Sequence, residues 1–263
     1  MEKELPIYTD QGVEFIVDVD KLEFRDKANQ NNRYGLEVLE DRGEEGYQFE
    51  HYDESEDKAL WITTPQFVIL DPEGMAEKYK KSVEEVYLLT DFELMVDQEL
   101  LTRRLKNGQL PTIELAGHTF YADARIDLLR PKDNFSTLGM RFDELENYYY
   151  VESNSYCFVY NPKTYDLGHL DYENITDIPK DLLFVEIPDV KVLDPVGWNR
   201  RNGFPETDDL KRIGLKMEFE GKIIPWNETG INELIEQNRL KKPIREAVIK
   251  RDKPPIKKGG PKI

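Results

Sequence analysis

Gly12-Val13-Glu14-Phe15-Ile16-Val17-Asp18 returns 105 residues later as Gly117-His118-Thr119-Phe120-Tyr121-Ala122-Asp123. In both stretches apolar and polar residues alternate, the period of a strand with one buried face. Val13, Phe15, Val17 and Val19 take one face in the first copy. Phe120, Ala122 and Ala124 take it in the second. Leu5-Pro6 and Arg25 recur at the same offset as Leu110-Pro111 and Arg130. Leu39-Glu40 recurs as Leu145-Glu146. Leu70-Asp71-Pro72-Glu73-Gly74 recurs as Leu193-Asp194-Pro195-Val196-Gly197. The matches keep one order while the offset grows, which is the mark of an internal duplication with later insertions.

The copies predict an α+β fold: two diverged units of short antiparallel strands, each closed by a C-terminal helix. The first unit is expected over residues 5–108 with its closing helix at about 91–106. The second is expected over 110–242 with its closing helix at about 227–240. Further strands are expected at Tyr47–Tyr52 and Leu60–Thr63, and at Tyr148–Glu152, Tyr156–Tyr160 and Leu182–Ile187. Asp71 and Asp194 read as helix N-caps with proline at the first helical position, so the repeated motif is a strand-to-helix joint rather than a catalytic aspartate. Phe92, Val96 and Leu100 oppose Leu94, Leu101 and Leu105 on the first closing helix. Two apolar faces ask for cover on both sides, and the simplest placement is between the copies. The second helix has one main face, Ile231, Leu234 and Ile235, and is expected on the surface of its own copy.

The chain has 263 residues and a net charge of −17. From Arg239 onward ten Lys/Arg oppose only Glu246 and Asp252, so a tail of about +8 follows a body of about −25. Residues 243–263, with Lys250, Arg251, Lys253, Lys257, Lys258 and Lys262 among prolines and glycines, read as a flexible basic tail. Its charge suits an acidic partner, nucleic acid included, whereas the acidic body repels phosphates. No apolar run reaches the ~18 residues of a membrane span, so no membrane partner is expected. The single cysteine and the absence of a leader pattern point to the cytoplasm.

The chemistry-bearing residues form no recognised constellation. Phosphate-loop, nucleophile-elbow and HExxH patterns are absent from the sequence. His51, His118 and His169 are too far apart along the chain to share a helical turn, so no metal site and no cofactor is expected. Cys157, in an apolar strand, reads as a buried free thiol. No catalytic residue is assigned, and an enzyme is the less favoured class. The better signal is aromatic. Tyr148, Tyr149 and Tyr150 stand beside Tyr156, Phe158 and Tyr160, a concentration that suits a protein-binding surface. Met75–Val96 has the outline of a helix-turn-helix, but Glu84 and Glu85 at the second helix disfavour DNA. Two short capped helices are expected there instead.

The segments Leu110-Pro111-Thr112-Ile113-Glu114-Leu115-Ala116-Gly117-His118-Thr119-Phe120-Tyr121, Asp194-Pro195-Val196-Gly197-Trp198-Asn199-Arg200 and Asp71-Pro72-Glu73-Gly74-Met75-Ala76-Glu77-Lys78-Tyr79 resemble a set of duplicated hypothetical proteins of Bacteroidota linked to conjugative or other mobile elements. The resemblance covers about residues 5–240. It implies a genomic setting and carries no activity, cofactor or site residue onto this chain. The expected function is therefore non-enzymatic: a protein-interaction or accessory factor with another protein as partner. The alternatives are an acidic mimic of DNA that blocks a nucleic-acid-binding enzyme, and an enzyme whose unrecognised site lies between the copies and draws on His118, His169 and Arg200.

Overall fold

The computed structural model describes residues 4–53 and 57–251, with side chains up to Lys241. The chain divides into two compact units, an α+β fold in each. The first unit comprises the residues up to Gln109 together with Pro195–Met217. The second comprises Leu110–Asp194 and the residues from Glu218 onward.

In the first unit β1 (Ile7–Asp10), β2 (Val13–Asp18), β3 (Glu23–Asp26) and β4 (Arg33–Gly35) form an antiparallel meander. β5 (Glu40–Asp41), β6 (Tyr47–Asp53) and β7 (Lys58–Thr64) form a second sheet. The β1–β2 turn is Gln11-Gly12, both at positive φ (47° and 84°). Such two-residue turns match the twist of hairpin strands. The inward residues meet those of the second sheet in one core: Phe15, Val17 and Phe24 against Phe49 and Ile62. Phe24 stacks between Phe49 and Phe67, at 5.8 and 4.9 Å.

β7 leads through Pro65 and Gln66 to a four-residue helix, Phe67–Leu70, and then to the helix Pro72–Tyr79. Asp71 is the N-cap expected, its carboxylate accepting the Gly74 N–H at 2.8 Å. The glycine is required by proximity. A Cβ there would meet Asp71 Oδ2 at 2.2 Å and Val19 Cγ2 at 2.6 Å. Ser82 then caps Val83–Val86 in a capping box with Glu85, so the region has the two short capped helices expected and a third, Asp91–Met95, at its end.

The expected helix at 91–106 is two helices, Asp91–Met95 and Gln98–Leu105. Val96 between them is extended (φ −107°, ψ 128°). The break has a local cause: the Asp97 carboxylate accepts the Glu99 and Leu100 N–H groups, each at 2.9 Å, and starts a new helix. The apolar residues of this pair, Phe92, Val96, Leu100, Leu101 and Leu105, are covered by Val196, Leu210 and Leu215. These come from the helices Pro195–Asn202 and Leu210–Ile213 and the following turn. Residues 195–217, expected within the second repeat, thus pack into the first unit because they bury its remaining apolar face.

The second unit holds β8 (Thr112–Leu115), β9 (His118–Asp123), β10 (Leu128–Pro131) and β11 (Met140–Arg141). Its second sheet contains β12 (Tyr149–Tyr150), β13 (Ser155–Asn161), β14 (Asp166–Leu167) and β15 (Leu183–Pro188). β16 (Glu218–Glu220) pairs in parallel with β8, and β17 (Lys222–Ile224) pairs antiparallel with β15. Several features repeat the first unit. The β8–β9 turn, Ala116-Gly117, has φ of 52° and 82°. Ala122 N–H bonds to Pro111 O at 2.9 Å, as Val17 N–H bonds to Pro6 O at 2.9 Å. Asp194 follows the four-residue helix Val190–Leu193 at φ −140°, ψ 73°, against −142°, 72° for Asp71.

The last helix runs from Ile231 to Arg251, starting later and ending later than the expected 227–240. Its Ile231 and Ile235 pack on Val159 and Leu170 with Leu234 alongside, the single-faced packing its sequence called for. The tail boundary moves accordingly. Residues 243–251, Lys250 and Arg251 included, continue the helical backbone rather than form a flexible arm. Lys253, Lys257, Lys258 and Lys262 lie outside the described residues. Among the described residues no helix is long and apolar enough to cross a membrane.

Candidate functional site

The aromatic cluster divides into two sets. Tyr156, Phe158 and Tyr160 alternate along β13 as expected, but all three are fully buried. They are core, and a binding role for them is corrected. β13 is flanked by β12 and β14 on one edge and by β15 on the other, and distant segments close its faces, Ile231 and Ile235 packing with Val159 and Phe120 with Tyr160. The Tyr156 hydroxyl donates to Glu146 Oε1 at 2.6 Å and lies 3.1 Å from Asp189 Oδ2. Burial, then these carboxylates, push its ionisation far above the usual range.

Tyr148, Tyr149 and Tyr150 are on the surface, at 40%, 37% and 51% exposure, and Val151 follows at 78%. Tyr149 and Tyr150 form the two-residue edge strand β12, and Tyr148 ends the short turn Glu146–Tyr148 before it. The rings are nonetheless held. The Tyr149 hydroxyl donates to Asn154 Oδ1 at 2.6 Å and the Tyr150 hydroxyl to Glu152 Oε2 at 2.8 Å. Tyr149 also meets Tyr156 edge-on at 5.9 Å, and Tyr148 lies 6.5 Å from Phe158. Tyr172 is exposed as well, and partial burial of its hydroxyl, then Tyr148 nearby, raises its pKa. The segments beside these rings, 143–152 and 171–177, carry Glu144, Glu146, Glu152, Asp171 and Glu173, together with Asp143 and Asp177, which are paired with Arg141 and Arg239.

The first unit contains a buried polar latch that sequence spacing does not announce. The Asp91 carboxylate, fully buried, accepts from the Tyr47 hydroxyl (2.7 Å), Phe67 N–H (2.8 Å) and Val68 N–H (2.9 Å). It thereby caps the Phe67–Leu70 helix from 24 residues away in sequence. Burial raises its pKa, while those donors and Lys211 oppose the shift. Lys211 Nζ sits 4.5 Å from the Tyr47 ring centroid and 2.6 Å from Asp41 Oδ1. With three donors on one carboxylate, this arrangement fixes helices rather than moves protons.

A cleft of about 620 Å³ opens in the same unit where β2 begins and β3 and β6 end. His51 lies at its base. The imidazole packs edge-on against Phe15 at 5.4 Å, and its Nδ1 is 2.8 Å from the Tyr34 hydroxyl. Its Nε2 faces Asp26 Oδ2 at 3.9 Å. No motif marks this pair. Asp26 and His51 meet only through the packing of two separate sheets.

The remaining candidates are each engaged locally. His118 is half-buried in β9, 2.7 Å from the Tyr160 hydroxyl and stacked on Tyr165. Arg200 pairs with Glu206 at 2.6 Å, and Asp171, two residues after His169, is engaged by the Asn174 amide at 2.8 Å. Cys157 is half-buried, and burial raises its thiol pKa. Among the described residues no three His, Cys, Asp or Glu are grouped to hold a metal. Comparison with protein-family models, with curated proteins and with solved structures returns no match.

Proposed function

We propose that the protein is a non-enzymatic interaction factor and that the ridge Tyr148-Tyr149-Tyr150, with Val151 and Tyr172, is its docking surface. The observation that carries this reading is three consecutive exposed tyrosines, Tyr148 at the end of a short turn and Tyr149 and Tyr150 on an edge strand, the last two held by their own hydroxyl bonds. Tyrosine supplies large amphipathic contact area with few rotors to freeze, and aromatic anchors dominate protein interfaces. The carboxylates of the neighbouring segments favour a partner segment rich in Lys or Arg. The two units are best regarded as diverged products of one duplicated unit, on the strength of their matching turns, backbone bonds and Asp71/Asp194 geometry. A mobile-element setting and a cytoplasmic location remain part of the proposal, as does a contribution of the basic tail to partner binding.

Affinity capture from a native host extract tests it. A partner retained by the wild type and lost by the Tyr148→Ser/Tyr149→Ser/Tyr150→Ser protein, at an unchanged melting temperature, supports the docking surface. A partner retained equally by both, or none above background across several salt concentrations, refutes it.

A further inference from the structure

The Asp26–His51 cleft supports an inference independent of the tyrosine ridge. Tyr34 fixes the imidazole. Burial, then the charge of Asp26, raises the Tyr34 pKa, so the phenol keeps its proton through the neutral range. A phenol that donates to Nδ1 leaves the ring proton on Nε2, which faces the Asp26 carboxylate and is favoured by it. The Asp26 carboxylate is fixed too, because Oδ1 accepts the Ala28 N–H at 2.8 Å. Nε2 and Oδ2, at 3.9 Å, are too far apart to bond each other. They form a donor and an acceptor side by side at the foot of an open cleft.

The second unit supplies a comparison. By strand register, His118 stands where Val13 does, Phe120 where Phe15 does, Pro131 where Asp26 does and Tyr160 where His51 does. The polar pair is gone there, and the chain fills the place itself. The Tyr165 ring stacks on His118 at 4.1 Å and lies 6.3 Å from Phe120. A planar ring is thus what this position accommodates in the second unit, and among the described residues of the first unit the position is open and lined with hydrogen-bonding groups.

We propose that the first-unit cleft binds a small, neutral, planar molecule presenting an N–H beside a C=O along one edge, the edge of a lactam or nucleobase. The N–H donates to Asp26 Oδ2 and the C=O accepts from His51 Nε2. The cleft volume is within the range of small-molecule sites, and Tyr52, Asn29 and Asn32 lie on its walls.

Backbone amide NMR on the full chain, titrated with uracil, 2-pyridone and hypoxanthine, tests this. The expected result is saturable shifts at Ala28, His51 and their neighbours with at least one lactam. 1,3-Dimethyluracil, which lacks the N–H, should bind at least about tenfold more weakly than uracil. Asp26→Asn should weaken binding by a similar factor. Ala28→Trp, which fills the cleft from an exposed position, should abolish it with the melting temperature unchanged. Saturation by none of the three lactams, equal binding of the methylated compound, or lactam binding undiminished in Ala28→Trp would overturn the proposal. Binding of D-glucose at these amides in place of the lactams would overturn it as well, and would assign the cleft to polyols.

Discussion

Leu210→Ala tests whether residues 195–217 belong to the first unit. Leu210 is fully buried, in one cluster with Val96, Leu101, Val196 and Leu215. The substitution removes its terminal branched carbons and leaves a cavity against the Asp91–Met95 and Gln98–Leu105 helices. Buried Leu→Ala changes cost about 2–5 kcal/mol. The cluster is small and one partner, Phe92, is only half-buried, so partial collapse is feasible and about 2–3 kcal/mol is expected. Each 1.4 kcal/mol is about a factor of ten in an opening equilibrium. Hydrogen exchange followed by mass spectrometry should therefore show about 30- to 150-fold faster exchange in the best protected amides of β2, β3, β6 and the Gln98–Leu105 helix. The β13 and β15 amides should change little. Leu240→Ala, at a mainly exposed site, is the control and should stay within about 0.5 kcal/mol of wild type. Loss of protection confined to β13 and β15, with the first unit unchanged, would refute the assignment of 195–217 to that unit.

Tyr47→Phe should cost about 1–3 kcal/mol in urea unfolding, because the buried Asp91 carboxylate loses its hydroxyl donor. An effect below about 0.3 kcal/mol would mean that the latch is not formed in solution. Asp97→Ala should cost about 0.5–2 kcal/mol by freeing the Glu99 and Leu100 N–H groups. Unaltered stability would argue for one continuous helix through residue 97. Burial disfavours the Cys157 thiolate, so its folded-state pKa lies above that of the unfolded chain. The folded protein therefore holds the thiol proton more tightly: stability from this group is complete below the unfolded pKa and is lost as pH rises through the folded one. Iodoacetamide should accordingly modify Cys157 in the folded protein with a midpoint at higher pH than in the urea-unfolded chain. An equal or lower midpoint would contradict the burial of the thiol.

Much of the fold can be read in local sequence because its signals are local. Alternation over Val13–Val19 and Phe120–Ala124 marks the strands. Asp71 with Pro72 and Gly74 carries both a cap and the close approach that only glycine permits. The Asp97 break was equally local, an N-cap aspartate before Gln-Glu-Leu, but it falls inside apolar spacing that reads as one helix. Burial of Tyr156, Phe158 and Tyr160 was not legible. Alternation puts them on one face, and only distant segments decide whether that face is covered. The same holds for Val96 and Leu101, whose cover arrives from Val196 and Leu210. Asp26 and His51 meet through the packing of two sheets, and no spacing rule joins them.

The docking claim is tested most directly by site-specific photocrosslinking. A benzophenone amino acid replaces Tyr149 on the ridge, Tyr52 in the first unit, or Leu240 on the last helix, all three exposed. The account predicts one discrete adduct with the captured partner from position 149, suppressed by excess unlabelled wild type and absent at position 52. The same adduct formed from position 52 or 240 with none from position 149 would contradict it.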